Sequence, residues 1–280
     1  PAFAGECLRD CVAVIGFECQ AVHAGILQRQ RQGCQHRLAG LKYGMSIILA
    51  IETSSELASC ALLNGDTLLS RESSGVRTHS QSILPMVQEL LAEAGLTLKQ
   101  CDAIAFGAGP GSFTGVRTAC GIAQGLAFGA SLPVVPLVTL EAMALACHLQ
   151  TGATEILAVL DARMGEVYWA QYRVDGGLKV VAEPALCAPG DVAPVAADAP
   201  LTACGNGFSA YPEAFAGRAY AEGALATIMP HAGEIARLGG TALAAGAAVP
   251  AAQAQPIYLR NKVAYTSAER QVINASKAAA

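Results

Sequence analysis

Two polar clusters stand where this chain could do phosphate chemistry: Glu52-Thr53-Ser54-Ser55 and, about a hundred residues on, Asp161. Each closes an apolar run, Ile48–Ile51 in the first case and Ile156–Leu160 in the second. A carboxylate followed by hydroxyls at a strand end can position a metal-bound water and a phosphate. The same residues can equally satisfy a turn through side-chain-to-backbone hydrogen bonds, and Arg163 offers Asp161 a structural ion pair. A third cluster, residues 107–121, reads Gly-Ala-Gly-Pro-Gly-Ser-Phe-Thr-Gly-Val-Arg-Thr-Ala-Cys-Gly. Gly107, Gly109 and Gly111 allow positive φ and close backbone approach, and Pro110 fixes one bend. Leading from a strand into a helix, this loop and Ser112 could aim backbone N–H groups at a nucleotide, another anion or a partner surface. The lysine and hydroxyl of a Walker A loop are missing, as is the Gly-x-Gly-x-x-Gly spacing. A tight connection without a ligand is an equal reading.

The elements that must carry these clusters alternate in type. Ser46–Ile51 reads as a buried strand, and Leu57–Leu63 with Thr67–Glu72 as a hairpin about Asn64-Gly65. A helix follows near Ser82–Ala94, with Ile83, Val87, Leu90, Leu91 and Ala94 on one face, Pro85 in its first turn and Ser80 or Ser82 as the cap. Strand Ala103–Phe106, helix Thr114–Phe128, strand Val134–Leu137 and helix Leu140–Leu149 complete the first unit. The second begins alike: Ile156–Asp161 echoes Ile48–Glu52, and strands Glu166–Val174 and Leu178–Ala182 flank a turn at Asp175-Gly176-Gly177. The recurrence points to a duplicated α/β architecture, with halves at 45–150 and 151–275 and a tail at 276–280. Beyond Pro184 only Glu234–Ala245 reads clearly as a helix.

Within Thr114–Phe128, Gly121 and Gly125 repeat at four-residue spacing, and Gly129 follows. A helical glycine costs about 1 kcal/mol relative to alanine. Two on one face imply a closely approaching backbone, supplied either by internal packing or by an interaction face shared with the Ser82–Ala94 helix.

Composition excludes several classes. The chain has 280 residues, 14% of them charged, and a net charge of −4, which gives no electrostatic case for binding nucleic acid unaided. Ten cysteines show no Cys-x-x-Cys pair and read as inert reduced thiols in a cytoplasmic protein. His79, His148 and His231 are far apart, so no histidine metal site is expected, and no Gly-x-Ser-x-Gly elbow marks a nucleophile. No apolar run reaches the roughly 18 residues of a membrane span. Residues 1–44 hold four of the cysteines and a Gln/Arg-rich patch at 28–37 without clear periodicity. They are expected to be an extension upstream of a natural start at Met45.

Five motifs in order, Ile48–Ser55 (ILAIETSS), His79–Pro85 (HSQSILP), Gly107–Arg117 (GAGPGSFTGVR), Asp161–Tyr168 (DARMGEVY) and Pro256–Arg260 (PIYLR), resemble those of the TsaB (YeaZ) family over Met45 to about Arg270. The resemblance implies an actin-like fold of the acetate kinase/Hsp70, RNase H-like type. It also implies a catalytically silent subunit that binds and activates TsaD, which transfers threonylcarbamoyl to tRNA adenosine beside the anticodon. TsaD holds its metal partly through His-Leu-Glu-Gly-His, and the matching stretch here is Thr139-Leu140-Glu141-Ala142-Met143. Thr and the soft Met thioether are unsuited to that site, so no metal or catalytic residue is expected. The resemblance places the TsaD-facing surface on the helices bearing Ile83, Val87, Leu90, Gly121, Gly125 and Phe128, with homodimerisation possible there. TsaE is a further implied partner, tRNA is reached only through the complex, and ATP or ADP is expected only in the assembly. The competing readings are an autonomous actin-like ATPase or small-molecule kinase and a glycoprotease-like metallopeptidase.

Overall fold

The run Ile-Ile-Leu-Ala-Ile-Glu from Ile47 to Glu52 does not alternate between polar and apolar, and a strand tolerates that when both its faces are covered. In a computed structural model, which describes residues 46–73, 79–197 and 199–260, this run is β1, buried along nearly its whole length. The expectations for residues 1–44, Met45 and the 276–280 tail fall outside the described residues. The hairpin strands β2 (Ala58–Asn64) and β3 (Thr67–Ser73) turn at Gly65, whose φ of 56° suits the tight reversal. Parallel strands β4 (Ala103–Gly109) and β5 (Val134–Val138) complete a sheet of order β3-β2-β1-β4-β5.

The second sheet repeats the plan. β6 (Glu155–Asp161), β7 (Val167–Val174) and β8 (Leu178–Cys187) form the antiparallel meander, and β9 (Leu201–Cys204) runs parallel to β6, in the order β8-β7-β6-β9. Duplication read from two short strand sequences is thus a duplication of topology. β8 runs through Pro184, where the sequence analysis ended it at Ala182; Pro184 lies on an edge strand, where its missing N–H is tolerated.

Helices α1 (His79–Ala94) and α2 (Phe113–Ala130) cover one face of the first sheet. The other face is covered by α4 (Ala232–Ala244), which comes from the far end of the chain. Conversely α3 (Thr139–Thr151) packs Leu140, Met143, Ala144 and Cys147 onto Ile156, Ala158 and Leu160 of the second sheet. Each sheet therefore receives a helix from beyond its own sequence block. Short helical turns at Gly207–Ala210 and Pro212–Phe215 close the second sheet's other face, with Phe208 and Phe215 against Leu157 and Val159. Among the described residues no helix is long and apolar enough to cross a membrane.

Two expectations about α1 need correction. The helix starts at His79, so Pro85 sits in its second turn and Ser82 lies inside the helix rather than at its cap. Pro85 tolerates this place because it stands on the exposed face with Gln81, whose carbonyl loses only the one N–H partner. Ile83, Val87 and Leu90, expected at a partner surface, are core residues with exposures of 0%, 3% and 0%. They form the apolar stripe that attaches α1 to its own sheet. The thiols of Cys60 and Cys101 lie in the same core, where burial pushes their pKa values up to about 12 and about 11.

α4 rides so close to the first sheet that a Cβ at Gly239 would come within 2.7 Å of the Ala105 Cβ and 3.3 Å of the Ile48 Cγ2. Gly239→Val therefore overpacks the interface and costs about 1–3 kcal/mol. Calorimetry is expected to show the midpoint lowered by several degrees, while Gly121→Ala on the open face of α2 leaves it unchanged or raised.

Candidate functional site

The end of β1 and the start of α2 meet backbone to backbone. Thr53 Oγ1 donates to the Gly115 carbonyl at 2.7 Å, and the Ser112 N–H donates to the Ser54 carbonyl at 2.7 Å. A Cβ on Gly115 would lie 1.9 Å from the Thr53 carbonyl oxygen, and one on Gly111 would lie 2.6 Å from the Ser54 Cβ. At Gly107 the Cβ would lie 1.7 Å from Glu52 Oε2. At Gly111 and Gly115 the obstructing atoms include backbone, so only glycine fits, whereas at Gly107 the Glu52 carboxyl would have to move aside. Gly107 and Gly109 belong to β4, pairing with Leu137 and Val138, so the strand extends beyond the expected end at Phe106. Of the three loop glycines, Gly109 alone adopts positive φ, at 111°.

Ser112 caps α2: its Oγ accepts from the Gly115 N–H at 3.3 Å and its carbonyl from the Val116 N–H at 2.9 Å. The N–H groups of Ser112 and Gly115, candidates for an anion cradle, are thus spent within the chain. Thr139 Oγ1 donates to the Pro110 carbonyl and the Ile257 N–H to the Ala108 carbonyl, fixing the loop from behind. Met143, which the resemblance matched to a TsaD histidine, is fully buried in the second core.

A cavity of about 670 Å³ opens between the two sheets. It brings together Ser54, Ser55, Gly111, Ser112 and Asp161, but not Glu52 or Thr53, which are fully buried, nor Gly109. Asp161 is heavily engaged. Its Oδ1 accepts from the Arg163 N–H at 2.8 Å and the Tyr211 hydroxyl at 2.9 Å, and its Oδ2 lies 3.2 Å from Arg163 Nη1. The Asp161 N–H donates to Asn206 Oδ1 at 2.9 Å. Arg163 also reaches across the cavity mouth to Glu56 Oε1 at 2.6 Å.

The back wall is a strap, residues 254–260. Its Ala254 carbonyl accepts from Gln124 Nε2 at 2.9 Å, and Arg260 pairs with Glu166 and donates to the Arg163 carbonyl at 3.2 Å. Asn206, Tyr211, Glu56 and Gln124 escaped the sequence analysis, because nothing in their local sequence marks partners so far away. Two buried polar atoms of the wall, Ser54 Oγ and Arg260 Nε, have no hydrogen-bond partner among the described residues.

On the opposite side of α2, Gly121, Gly125 and Phe128 are exposed, Phe128 at 82%. A Cβ at either glycine would meet nothing within 4 Å. No backbone among the described residues accounts for them.

The model of the family TsaD, tRNA N6-adenosine threonylcarbamoyltransferase, matches residues 65–268. The tRNA threonylcarbamoyladenosine biosynthesis protein TsaB of Escherichia coli (strain K12) is 39% identical over 233 residues, covering 78% of this chain and 96% of that protein. The TsaB protein of Haemophilus influenzae is 39% identical over 228 residues, covering 78% and 95%. The solved structure of YeaZ from Pseudomonas aeruginosa superposes with a TM-score of 0.72 at 42% identity, covering 77% of this chain and 100% of that one. The fold is actin-like α/β, as the five motifs implied.

Glu52 gives the loop contact a pH signature. Burial raises its carboxyl pKa above 4.5 against the opposing hydrogen bonds from Ser54 and the charge of His231, and Oε2 has no hydrogen-bond partner among the described residues. Between pH 4.5 and the raised folded value the unfolded chain releases a proton that the folded chain keeps. Stability is therefore full below about 4.5 and falls as pH rises toward the folded pKa. Glu52→Gln keeps an acceptor for the Ser54 N–H without an ionisable group. Denaturant midpoints taken across this range are expected to decline less with rising pH in Glu52→Gln than in wild type.

Proposed function

The chain belongs to the TsaB (YeaZ) branch of the TsaD family, and on that premise we propose that it serves tRNA threonylcarbamoyladenosine biosynthesis as a non-catalytic subunit that binds and activates TsaD. The observation that carries this reading is the outward face of α2. Helices pack with axes about 8–10 Å apart, and glycines on the contact allow the closest approach. Gly121 and Gly125 offer such a groove, and Phe128 beside it is an apolar anchor left in water. Leu84 of α1, 45% exposed, adds a second apolar point. The partner-facing residues are then Gly121, Gly125 and Phe128 with the outer side of α1, in place of the buried Ile83, Val87 and Leu90.

The cleft supports a silent role. An autonomous kinase or ATPase built on Asp161 would need that carboxylate directed at a ligand, whereas it is engaged by Arg163 and Tyr211. A metallopeptidase would need a ligand cluster, and among the described residues no three His, Cys, Asp or Glu side chains converge on one point. ATP or ADP enters this scheme as a ligand of the assembly, with Ser54, Ser55, Gly111 and Ser112 as this chain's nearest candidates. TsaE joins the same assembly in the cytoplasm, tRNA is reached through TsaD, and a second copy of the chain competes for the α2 face.

The test is reconstitution of tRNA threonylcarbamoylation with and without this chain. It is expected to bind TsaD and raise turnover, and failure of both would overturn the proposal. Gly125→Leu fills open space, so its thermal midpoint should match or exceed wild type while affinity for TsaD falls by at least about tenfold. An unaffected complex would exclude this face.

A further inference from the structure

Arg117 stands one helical turn, about 6 Å, before Gly121 on the same exposed rail of α2. Its guanidinium is held on three sides. The carbon centre lies 3.6 Å above the Phe113 ring and 5.6 Å from the Tyr258 ring, and Nε donates to the Tyr258 hydroxyl at 2.8 Å. Phe113 and Tyr258 themselves stack with centroids 5.9 Å apart. No carboxylate among the described residues forms an ion pair with Arg117, although Arg71, Arg163, Arg173 and Arg260 each have one. The fork is thus pre-oriented, with no hydrogen bond from its two terminal amino groups among the described residues.

We propose that Arg117 is a specificity-determining contact of the docking face, and that the partner lying on Gly121 and Gly125 presents an Asp or Glu carboxylate to it. The inference rests on the docking face proposed above and adds the chemistry of its occupant. A helix seated on the glycine rail covers the next turn as well. Burying an unpaired guanidinium is strongly unfavourable, so a tight partner supplies an acceptor there. The planar fork matches a carboxylate in bidentate geometry. A phosphate bound in the cleft fits less well: Phe113 and Tyr258 line the 670 Å³ cavity, but Arg117 does not. The cation belongs to the outer surface of α2, and the strap residue Tyr258 fixes its direction.

Full-length wild type, Arg117→Gln, Arg117→Lys, Tyr258→Phe and Gly125→Leu would be titrated against purified TsaD at two salt concentrations, with thermal unfolding of each variant as the folding control. Arg117→Gln is expected to weaken the complex roughly tenfold or more, chiefly through faster dissociation. Arg117→Lys should recover only part of that loss, and Tyr258→Phe should lose a few-fold with Arg117 intact. Arg117→Glu should abolish binding, and an acid-to-arginine change on the partner's facing helix should restore it. Wild-type affinity in Arg117→Gln beside a broken complex in Gly125→Leu would overturn this inference and leave the face standing. Wild-type affinity in both would remove the face and the inference together. Loss of Mg-ATP binding in Arg117→Gln with TsaD affinity unchanged would assign the cation to a nucleotide and overturn the proposal as well.

Discussion

Between the end of β1 and the start of α2 two stretches of backbone run closer than any side chain permits, with Thr53 and Ser54 against Gly111 and Gly115, while the Glu52 carboxyl packs on Gly107 of β4. The hydrogen bonds across this contact, from Thr53 to Gly115 and from Ser112 to Ser54, tie the first turn of α2 to the sheet. The direction in which α2 leaves the sheet is set there. So is the placement of everything α2 carries: Phe113 at the cleft, Arg117 on its aromatic shelf, and the glycine rail beyond. Glu52 pays for the closeness, losing solvent for its carboxyl while Oε2 gains no hydrogen-bond partner among the described residues. Burial disfavours the charged form of that carboxyl, which is the physical sense of its raised pKa.

The two halves are bound to each other in a way that follows from this anchoring. The exchange of α3 and α4 interlocks them, and the strap then stitches β4 and α2 to the turn between β6 and β7. Ile257 bonds Ala108, Gln124 bonds Ala254, and Arg260 bonds Glu166 and Arg163. On the far side Glu56 and Arg163 close the mouth, though both are well exposed and the pair adds little stability in water. The Asp161 cluster is better sheltered: its carboxylate holds the turn that points Arg163 at the cleft and Glu166 at the strap. Asp161, Arg163, Tyr211 and Asn206 largely engage one another.

The succession of elements in the first half, the duplication and the family were legible because they rest on local signals: apolar runs of strand length, a tight-turn dipeptide and glycines at fixed spacing. Misreadings arose where a long-range fact decided. Apolar spacing correctly assigned Ile83, Val87 and Leu90 to one face of α1, but the same stripe serves a core or an interface, and only the position of β2 decides between them. Pro85 suggested a later helix start, since sequence does not show that its turn is solvent-facing. Asp161 and Arg163 were read as a pair from their spacing. Tyr211 and Asn206, which complete the cluster, come from a region rich in Ala, Pro and Gly with no periodicity to announce it.

The glycines of this region divide by what stands opposite them, and the division separates folding from recognition. At 107, 111 and 115 a Cβ would strike the chain's own atoms at 1.7, 2.6 and 1.9 Å, so selection for a stable fold alone accounts for glycine there. At 121 and 125 a Cβ would meet nothing, and alanine would favour the helix by about 1 kcal/mol at each place. Nothing among the described residues offsets that cost at those two places. A body that brings its backbone close over the rail supplies that term, and the same body would cover Phe128 and meet Arg117. Reading inward glycines as architecture and outward ones as interface moves the functional weight from the loop that resembles a phosphate cradle to the helix it holds in place.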